Sequence, residues 1–442
     1  MSMHTDPATT RSPLRRLLVG MGIGNTLEWY DFGLFAPVAA LVFPKLFFPQ
    51  LAPFAGLLAS FATLGVGLLI RPLGAIFFSH ISDRYGRKPV VVASLILMGV
   101  SSLGIGLLPG YHTIGLAAPI LLVLLRCLQG FSAGGEPGTA TVLTLEHAPP
   151  RHRALTIASV NIGAPLGQVL VALSLLIIRG MVGEAAFLAW AWRIPFLIGF
   201  ALAAVGWVIR RRIEESPVYR RAATATQRPR VPLLTAVRRY PRMVLLLIGL
   251  VIPATALLYV ANVYTLSYLK DVLHMPSQVG LSLVLAVNIL GVLLLPLGAA
   301  VSDRYGRKPV LYALGALSVV GVLLYFPLIN TRMWGLMLLA DVLTVGAQHA
   351  SGAVRATMSA ELFPTPIRNA GQASVTTVGT LIGGGLAPFG AAALLGWTGT
   401  PWSIAGVLAI GLGIGLVLLW FLPETVDTDI ERVDDQLVRS TR

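Results

Sequence analysis

Charge is scarce in this 442-residue chain: Asp, Glu, Lys and Arg together make up 12% of it, about half the share usual in soluble proteins. Acidic residues are the scarcer kind, 19 against 33 Lys and Arg. The one cysteine, Cys127, excludes an internal disulfide and most metal frameworks. The chain has no Walker loop, no metal-ligand cluster and no polar domain to carry chemistry, so neither an enzyme nor a cofactor is expected. It also lacks the period-2 alternation of a transmembrane β-barrel.

Apolar residues are abundant, at 55% of the chain, and mean hydropathy is +0.78. A soluble protein of this size needs a more polar surface. Twelve apolar runs, each long enough to cross a bilayer as a helix, cover approximately 17–43, 54–80, 90–109, 114–145, 154–179, 190–209, 243–269, 278–301, 310–329, 333–360, 369–396 and 402–422. The expected fold is therefore an all-α polytopic membrane protein. Arg15-Arg16 ahead of the first run mimics a secretory signal, but no small-residue cleavage site follows, and Glu28 and Asp31 interrupt the run. An uncleaved first helix is expected. Gly20, Gly22 and Gly24 follow no strand, which favours close helix packing over a nucleotide loop.

The basic residues set an orientation. With twelve spans both termini lie on one side. Placing them in the cytoplasm puts 25 of the 33 Lys and Arg inside and 5 outside, a strong positive-inside bias. Arg71, Arg126 and Arg355 fall within spans. This asymmetry explains the net charge of +14 without nucleic acid. The expected place is the plasma (inner) membrane, multi-pass, with the lipid bilayer as surroundings.

One nonapeptide, S-D-R-Y-G-R-K-P-V, occurs at 82–90 and again at 302–310. The copies fall between spans 2 and 3 and between spans 8 and 9, on the same side. Each half thus holds six spans in the same orientation, a parallel repeat. The organisation is read as a six-helix half at 1–209, a basic cytoplasmic linker at 210–242, and a second six-helix half with a short tail at 243–442. A second repeat, E-x-x-P-x-x-x-R, runs Glu146, Pro149, Arg153 after span 4 and Glu361, Pro364, Arg368 after span 10. In the nonapeptide, Gly86 and Gly306 allow tight turns, and Pro89 and Pro309 suit the first turn of the next helix. Asp83, Arg84 and Arg87, with Asp303, Arg304 and Arg307, either only close the loop or latch the halves together on the cytoplasmic face.

Ser79-x-x-Ser-Asp-Arg-Tyr-Gly-Arg-Lys88 resembles the loop signature of the major facilitator superfamily, G-x-x-x-D-R-x-G-R-K, with Ser79 and Ala299 in place of its first glycine. Arg126-Cys-Leu-Gln-Gly130 resembles the superfamily's fourth-helix motif. Glu28-Trp-Tyr-Asp-Phe32, Trp192-Arg-Ile-Pro195 and Glu215-Ser-Pro217 resemble its metabolite:proton symporter branch. Pro109–Gly115 and Gln129–Gly134 resemble citrate carriers of that branch locally. The resemblance implies the major facilitator fold and proton-coupled symport of a small polar metabolite by alternating access. Branch members handle di- and tricarboxylates, oxoacids, shikimate, proline and betaine. An organic acid is the expected substrate. The alternatives are a proline/betaine-type osmolyte symporter and a drug or sugar antiporter of the same fold. A channel usually assembles several subunits around a pore, whereas two halves in one chain enclose their own site, so a monomer working on a small molecule and protons is expected.

Ionisable groups inside spans are costly and mark function. Arg126, near mid-span, suits a substrate carboxylate or a fixed ion pair with Glu28 or Asp31. Those two carboxylates, three residues apart, share a helix face, and two such groups in a low-dielectric cavity resist joint ionisation. They are the first proton-coupling candidates. Asp341, at the position matching Arg126 in the other half, can take a proton, meet a cationic substrate group, or pair with Arg355. Asn161, Gln168, Tyr264, Asn288 and Gln348 are substrate-binding candidates, with interhelical hydrogen bonding as the alternative for each. Asn262, Tyr268 and His349 are similar cases. Arg71 is read as structural, and Glu136, within Gly-Gly-Glu-Pro-Gly, as part of a bend.

Overall fold

A computed structural model describes residues 7–85, 87–134, 139–211, 238–365 and 367–430. The side chains of Asp83, Arg84 and Arg87, the residues Gly86 and Glu136, and most of the 210–242 linker lie outside what is described.

The described residues form helices joined by short turns, with no strand among them. We number the long rods α1 (Pro7–Leu41), α2 (Pro53–Tyr85), α3 (Arg87–Leu107), α4 (Ala117–Ala133, resumed as Thr139–His147), α5 (Arg153–Asn161 and Gly163–Ala189) and α6 (Ile194–Arg211). The second set is α7 (Pro241–Tyr259, running on through Val272), α8 (Ser277–Tyr305), α9 (Arg307–Asn330), α10 (Trp334–Asp341 to Ala347–Glu361), α11 (Arg368–Thr380 to Ala387–Thr398) and α12 (Trp402–Trp420). Among the described residues, seven helices are long and apolar enough to cross a membrane, those containing α2, α5, α7, α8, α9, α11 and α12. Shorter apolar helices lie in α3, α4 and α6.

The apolar stripes show why these rods pack as they do. On α12, Val407, Ile410, Ile414 and Val417 are exposed, while Leu408, Leu412, Gly415 and Leu419 are buried. The 3- and 4-residue steps are helical periods with one face to lipid and one to protein. α12 rises about 28 Å over its 19 residues and carries exposed Trp402 and Trp420 at its ends. That matches a hydrocarbon layer of about 30 Å with aromatic residues at the interfaces. The core helix is α1, where Tyr30 to Leu41 is buried without interruption.

The two halves repeat one plan. The pairs α1–α5, α2–α4 and α3–α6 of the first half reappear as α7–α11, α8–α10 and α9–α12 in the second. Across the seam α5 packs on α8, and α2 on α11. The register of the repeat slips between the third and fourth rods of each half. Residues 108–116, with a short helix Tyr111–Ile114, join α3 to α4, whereas residues 331–333 join α9 to α10.

The second nonapeptide turns as its residues dictate. Gly306 sits at φ +99°, a conformation only glycine adopts without strain. Pro309 then falls in the first turn of α9. The N-terminal amides of Arg307 and Lys308 donate to the Glu424 carboxylate at 2.8 and 2.9 Å. Burial pushes the Glu424 carboxyl up, but backbone N–H bonds from Arg307, Lys308, Thr425 and Val426 outweigh it and hold the group below the usual Glu range.

Candidate functional site

A buried polar chain runs through the first half. Arg126 on α4 is fully buried, and its Nη1 donates to Gln129 Oε1 at 2.5 Å. Gln129 Nε2 donates in turn to Asp31 Oδ2 at 2.8 Å and to Ser102 Oγ at 3.1 Å. The Ser102 hydroxyl donates to Asp31 as well. Four residues from α1, α3 and α4 thus form one chain, with the cation at one end and the carboxylate at the other. The three-residue step from Arg126 to Gln129 places both on one face of α4.

Arg126 is only partly satisfied. Its Nε and Nη2 have no hydrogen-bond partner, and the guanidinium lies 4.1 Å from the ring centroids of both Phe32 and Phe35. Gly67 of α2 makes room for it, since a Cβ there would stand 2.7 Å from Arg126 Nε. Tyr259 of α7, on the other half, lies within electrostatic range of both Arg126 and Arg71. A residue of the second half is thus close enough to Arg126 to feel its charge. Asp31 sits deeper in its own half, against α6, where a Cβ on Gly199 would approach its carboxylate at 2.9 Å.

The expectation that Glu28 and Asp31 share one site is corrected. Glu28 accepts from Arg71 at 2.9 Å, while Asp31 turns to Ser102 and Gln129. Three helical positions separate them by enough rotation to reach different neighbours. A direct ion pair of Arg126 with Glu28 or Asp31 is also absent among the described residues; Gln129 stands between Arg126 and Asp31.

In the second half, Asp341 is buried and accepts from Tyr325 Oη at 3.0 Å, with Thr265 2.9 Å beyond that phenol. The alternative pairing with Arg355 does not form, because the two lie fourteen positions apart on α10, about 21 Å. Arg355 instead donates to Gln348 Oε1 at 2.9 Å and to Ser351, and Gln348 donates to Ser318 at 2.9 Å. Gln348 is thus committed within its own half. Asn288 is fully buried in a chain with Asn262 and His349, both at 3.0 Å. Tyr264 is buried with a hydroxyl that has no partner, and its ring lies 6.2 Å from that of Tyr268. Asn161 and Gln168 are half-buried on α5, and Gln168 abuts α1 at Gly33.

The two copies of E-x-x-P-x-x-x-R exchange partners across the seam. Glu146 of the first half pairs with Arg368 of the second at 3.2 Å, and Glu361 of the second with Arg153 of the first at 3.4 Å. Glu361 is completely buried and also accepts from Arg307 at 3.2 Å and from Thr425 at 2.6 Å. Asp303 accepts from Arg307 at 2.6 Å and from the amides of Ala154 and Leu155, at 3.1 and 2.9 Å. A carboxylate from α8 thereby caps the N-terminus of α5 in the opposite half, where the helix dipole favours it. Arg304 does not join this network; it is exposed and lies 5.3 Å from its neighbour Tyr305. On the other face, Lys270 of α7 donates to Leu41 O at the end of α1, at 2.8 Å.

Sequence reasoning missed Gln129 and Ser102 as members of the buried chain, and Tyr325 and Tyr259 altogether. Gln129 carried a signal in its spacing from Arg126. The others are single polar or aromatic residues within apolar runs and carry none.

Comparison with known proteins agrees with this architecture. Residues 18–231 match the family model described as "Sugar (and other) transporter", and residues 263–436 that of the Major Facilitator Superfamily. The shikimate transporter of Escherichia coli (strain K12) is 36% identical over 93% of this chain and 95% of its own length. A glycine betaine/proline/ectoine/pipecolic acid transporter of Dickeya dadantii (strain 3937) is 34% identical over 95% and 85%. The solved D-xylose–proton symporter superposes with a TM-score of 0.75 at 17% identity, over 93% of this chain and 98% of that one, a likeness of fold. Twelve rods in two repeated halves, with relatives matched along nearly their whole length, place this chain in the major facilitator superfamily, as a multi-pass membrane transporter.

Proposed function

We propose that this protein is a proton-coupled symporter of a small organic acid, a di- or tricarboxylate, an oxoacid or a shikimate-like acid, working as a monomer by alternating access. The observation that carries the reading is the chain Arg126–Gln129–Asp31–Ser102, with two Arg126 nitrogens left unpartnered. A guanidinium held by one amide and two aromatic rings keeps part of its donor fork for a carboxylate. Asp31 is the proton site. Gln129 links the two: its carbonyl accepts from Arg126 while its amide donates to ionised Asp31. Protonation turns one Asp31 oxygen into a donor and weakens the hold of that amide on the other. Substrate that takes Arg126 and a proton that takes Asp31 therefore relieve the same Gln129, so each favours the other. Tyr264 offers its free hydroxyl to the substrate from the opposite half.

The face carrying Asp303, Arg307, Glu361 and Arg153 is the cytoplasmic gate, and both termini lie on that side of a bacterial inner membrane, consistent with the positive-inside bias. Its bonds hold the protein closed there and must part for inward release. The 1–209 and 243–442 halves act as the two rigid bodies of that motion, with 210–242 as their linker.

The second reading is a betaine- or proline-type substrate. It is favoured by Asp341, which has no cationic partner among the described residues, and by the osmolyte-carrying relatives. Reconstituted protein given an inward pH gradient and radiolabelled organic acids or betaines separates the two. Uphill accumulation of an acid that collapses with a protonophore supports the first reading; accumulation of betaine alone replaces it with the second.

A further inference from the structure

Two arginines lie deep in the spans away from the interface network, and their surroundings differ. Arg126 reaches a carboxylate through one amide. Arg355 reaches none: no carboxylate lies within ion-pair distance among the described residues, and its partners are Gln348 Oε1, Gln348 O and Ser351 Oγ, all on its own helix. The carboxylates of the half are already committed. Asp341 is four turns away on Tyr325, and Glu361 is held by Arg307, Arg153 and Thr425. His349, the nearest other titratable group on α10, turns to Asn288.

Arg355 also borders a cavity. About 30 Å³ of space lies between α7, α9, α10 and α12, lined by Gln348, Ser351 and Arg355 on one side and by apolar groups such as Pro253, Leu311 and Leu412 on the other. Such a volume holds one or two waters or one halide ion, and is far too small for the transported acid. The site lies six residues before the end of α10, about 9 Å from it, on the basic face.

Arg355 is half-buried, and a guanidinium inside an apolar span without a counter-charge is disfavoured. Arg keeps its proton, so deprotonation offers no way out. The Ser351 hydroxyl gives its proton to Gln348 O and accepts from Arg355, so the donors left for this space are the Arg355 N–H groups that Gln348 and Ser351 do not take, and an acceptor-only anion completes them. We infer that this cavity is a binding site for one small monovalent inorganic anion, chloride-sized, which neutralises Arg355 inside the second half and is separate from the substrate site at the seam.

The test uses the full-length protein in detergent without substrate, so its outcome does not depend on the transport reading. Unfolding is followed by tryptophan fluorescence at constant ionic strength, with chloride replaced stepwise by gluconate. A saturable rise of roughly 2 °C or more in chloride is expected, as for a ligand that binds only the folded state. Bromide should reproduce it. The rise should vanish in Arg355→Gln. If that variant does not fold, Ser351→Val, which fills the cavity and keeps the cation, should remove the chloride effect instead. Anomalous diffraction from bromide-soaked crystals should place a peak against Arg355. Equal unfolding temperatures in chloride and gluconate overturn the proposal, since water alone then fills the space. So does a chloride effect that survives both substitutions, or a bromide peak elsewhere.

Discussion

The two halves of this protein share a helix plan but not a helix geometry. The described rods of the first half are α-helical with short 3₁₀ turns. The second half carries four π-helical segments, at Val260–Tyr264, Tyr268–Val272, Val342–Gly346 and Leu381–Leu386. They sit where polar groups lie. Val342–Gly346 begins directly after Asp341, and Val260–Tyr264 contains Asn262 and Tyr264. Leu381–Leu386 brings Gly384 against Tyr259. A π turn adds a residue without ending the helix, and such turns gather at functional sites. The charges differ in the same way. The first half joins cation and anion through one glutamine; the second keeps Asp341 and Arg355 four turns apart. Duplication kept the packing and let the polar interior diverge.

The comparison breaks most sharply at Arg126. Arg126→Ala should abolish saturable uptake in folded protein, and Arg126→Lys should weaken binding about 10-fold or more, since hydrogen bonds to charged groups contribute roughly 1.5–3 kcal/mol. Near-normal substrate affinity in either variant, measured by isothermal titration, would move the substrate site to the second half. Proton coupling sharpens the contrast next. Asp31→Asn should lose uphill, pH-driven uptake yet retain exchange, whereas Asp341→Asn should keep both. The reverse pattern transfers the proton to the second half.

The interface supplies a third contrast, because its exchanged pairs are unequally buried. The Glu361 side chain is fully buried and serves two arginines, while Glu146 is 36% exposed. Glu361→Gln leaves the buried Arg153 without a carboxylate and Arg307 with Asp303 alone, a loss of about 3–5 kcal/mol. It should raise labelling of a single cysteine placed at that face. Glu146→Gln should raise the same labelling less, because solvent screens the Glu146 carboxylate and the buried Arg368 keeps the carbonyls of Phe363 and Ile430 as acceptors. Equal effects would mean that the seam does not depend on burial.

The smallest effect concerns Glu424. Its folded pKa is depressed, so its contribution is present above the unfolded carboxylate range and is lost as pH falls through the folded value. Between pH 5 and 7 the stability difference between the native protein and Glu424→Gln should stay constant, and it should shrink only in more acidic buffer. A difference that shrinks between pH 7 and 5 contradicts the cap.

Much of this was legible in the chain itself. Apolar run length and the nonapeptide repeat sufficed for twelve spans in two halves, because membrane thickness and basic-loop bias are strong local constraints. Arg126 and Asp31 stood out because charge in a span is rare. The links between them did not. Gln129 and Ser102 are ordinary residues whose role depends on which helix lies opposite. Glu28 and Asp31 looked like partners because helical spacing reports a shared face, not which neighbour each side chain finds. The second nonapeptide leaves loop closure and a latch between the halves both open to a sequence reading; the contact of its Asp303 with the Ala154 and Leu155 amides of the opposite half has no signal in the chain. The crossing of Glu146 to Arg368 and Glu361 to Arg153 was invisible, since a repeat establishes equivalence of positions and says nothing of contact. The π turns left no sequence signal.

That crossing has the form of an isologous contact, the kind made by two identical subunits about a two-fold axis, in which one residue meets its counterpart's partner and the reverse holds as well. Glu146 and Arg153 of one motif meet Arg368 and Glu361 of the other, 222 and 208 positions away. The closed face is thus a dimer interface written into one polypeptide. A change in either motif is answered not by its neighbours in the chain but by the other half, so the two copies are bound to vary as partners even while the rest of the halves drifts apart.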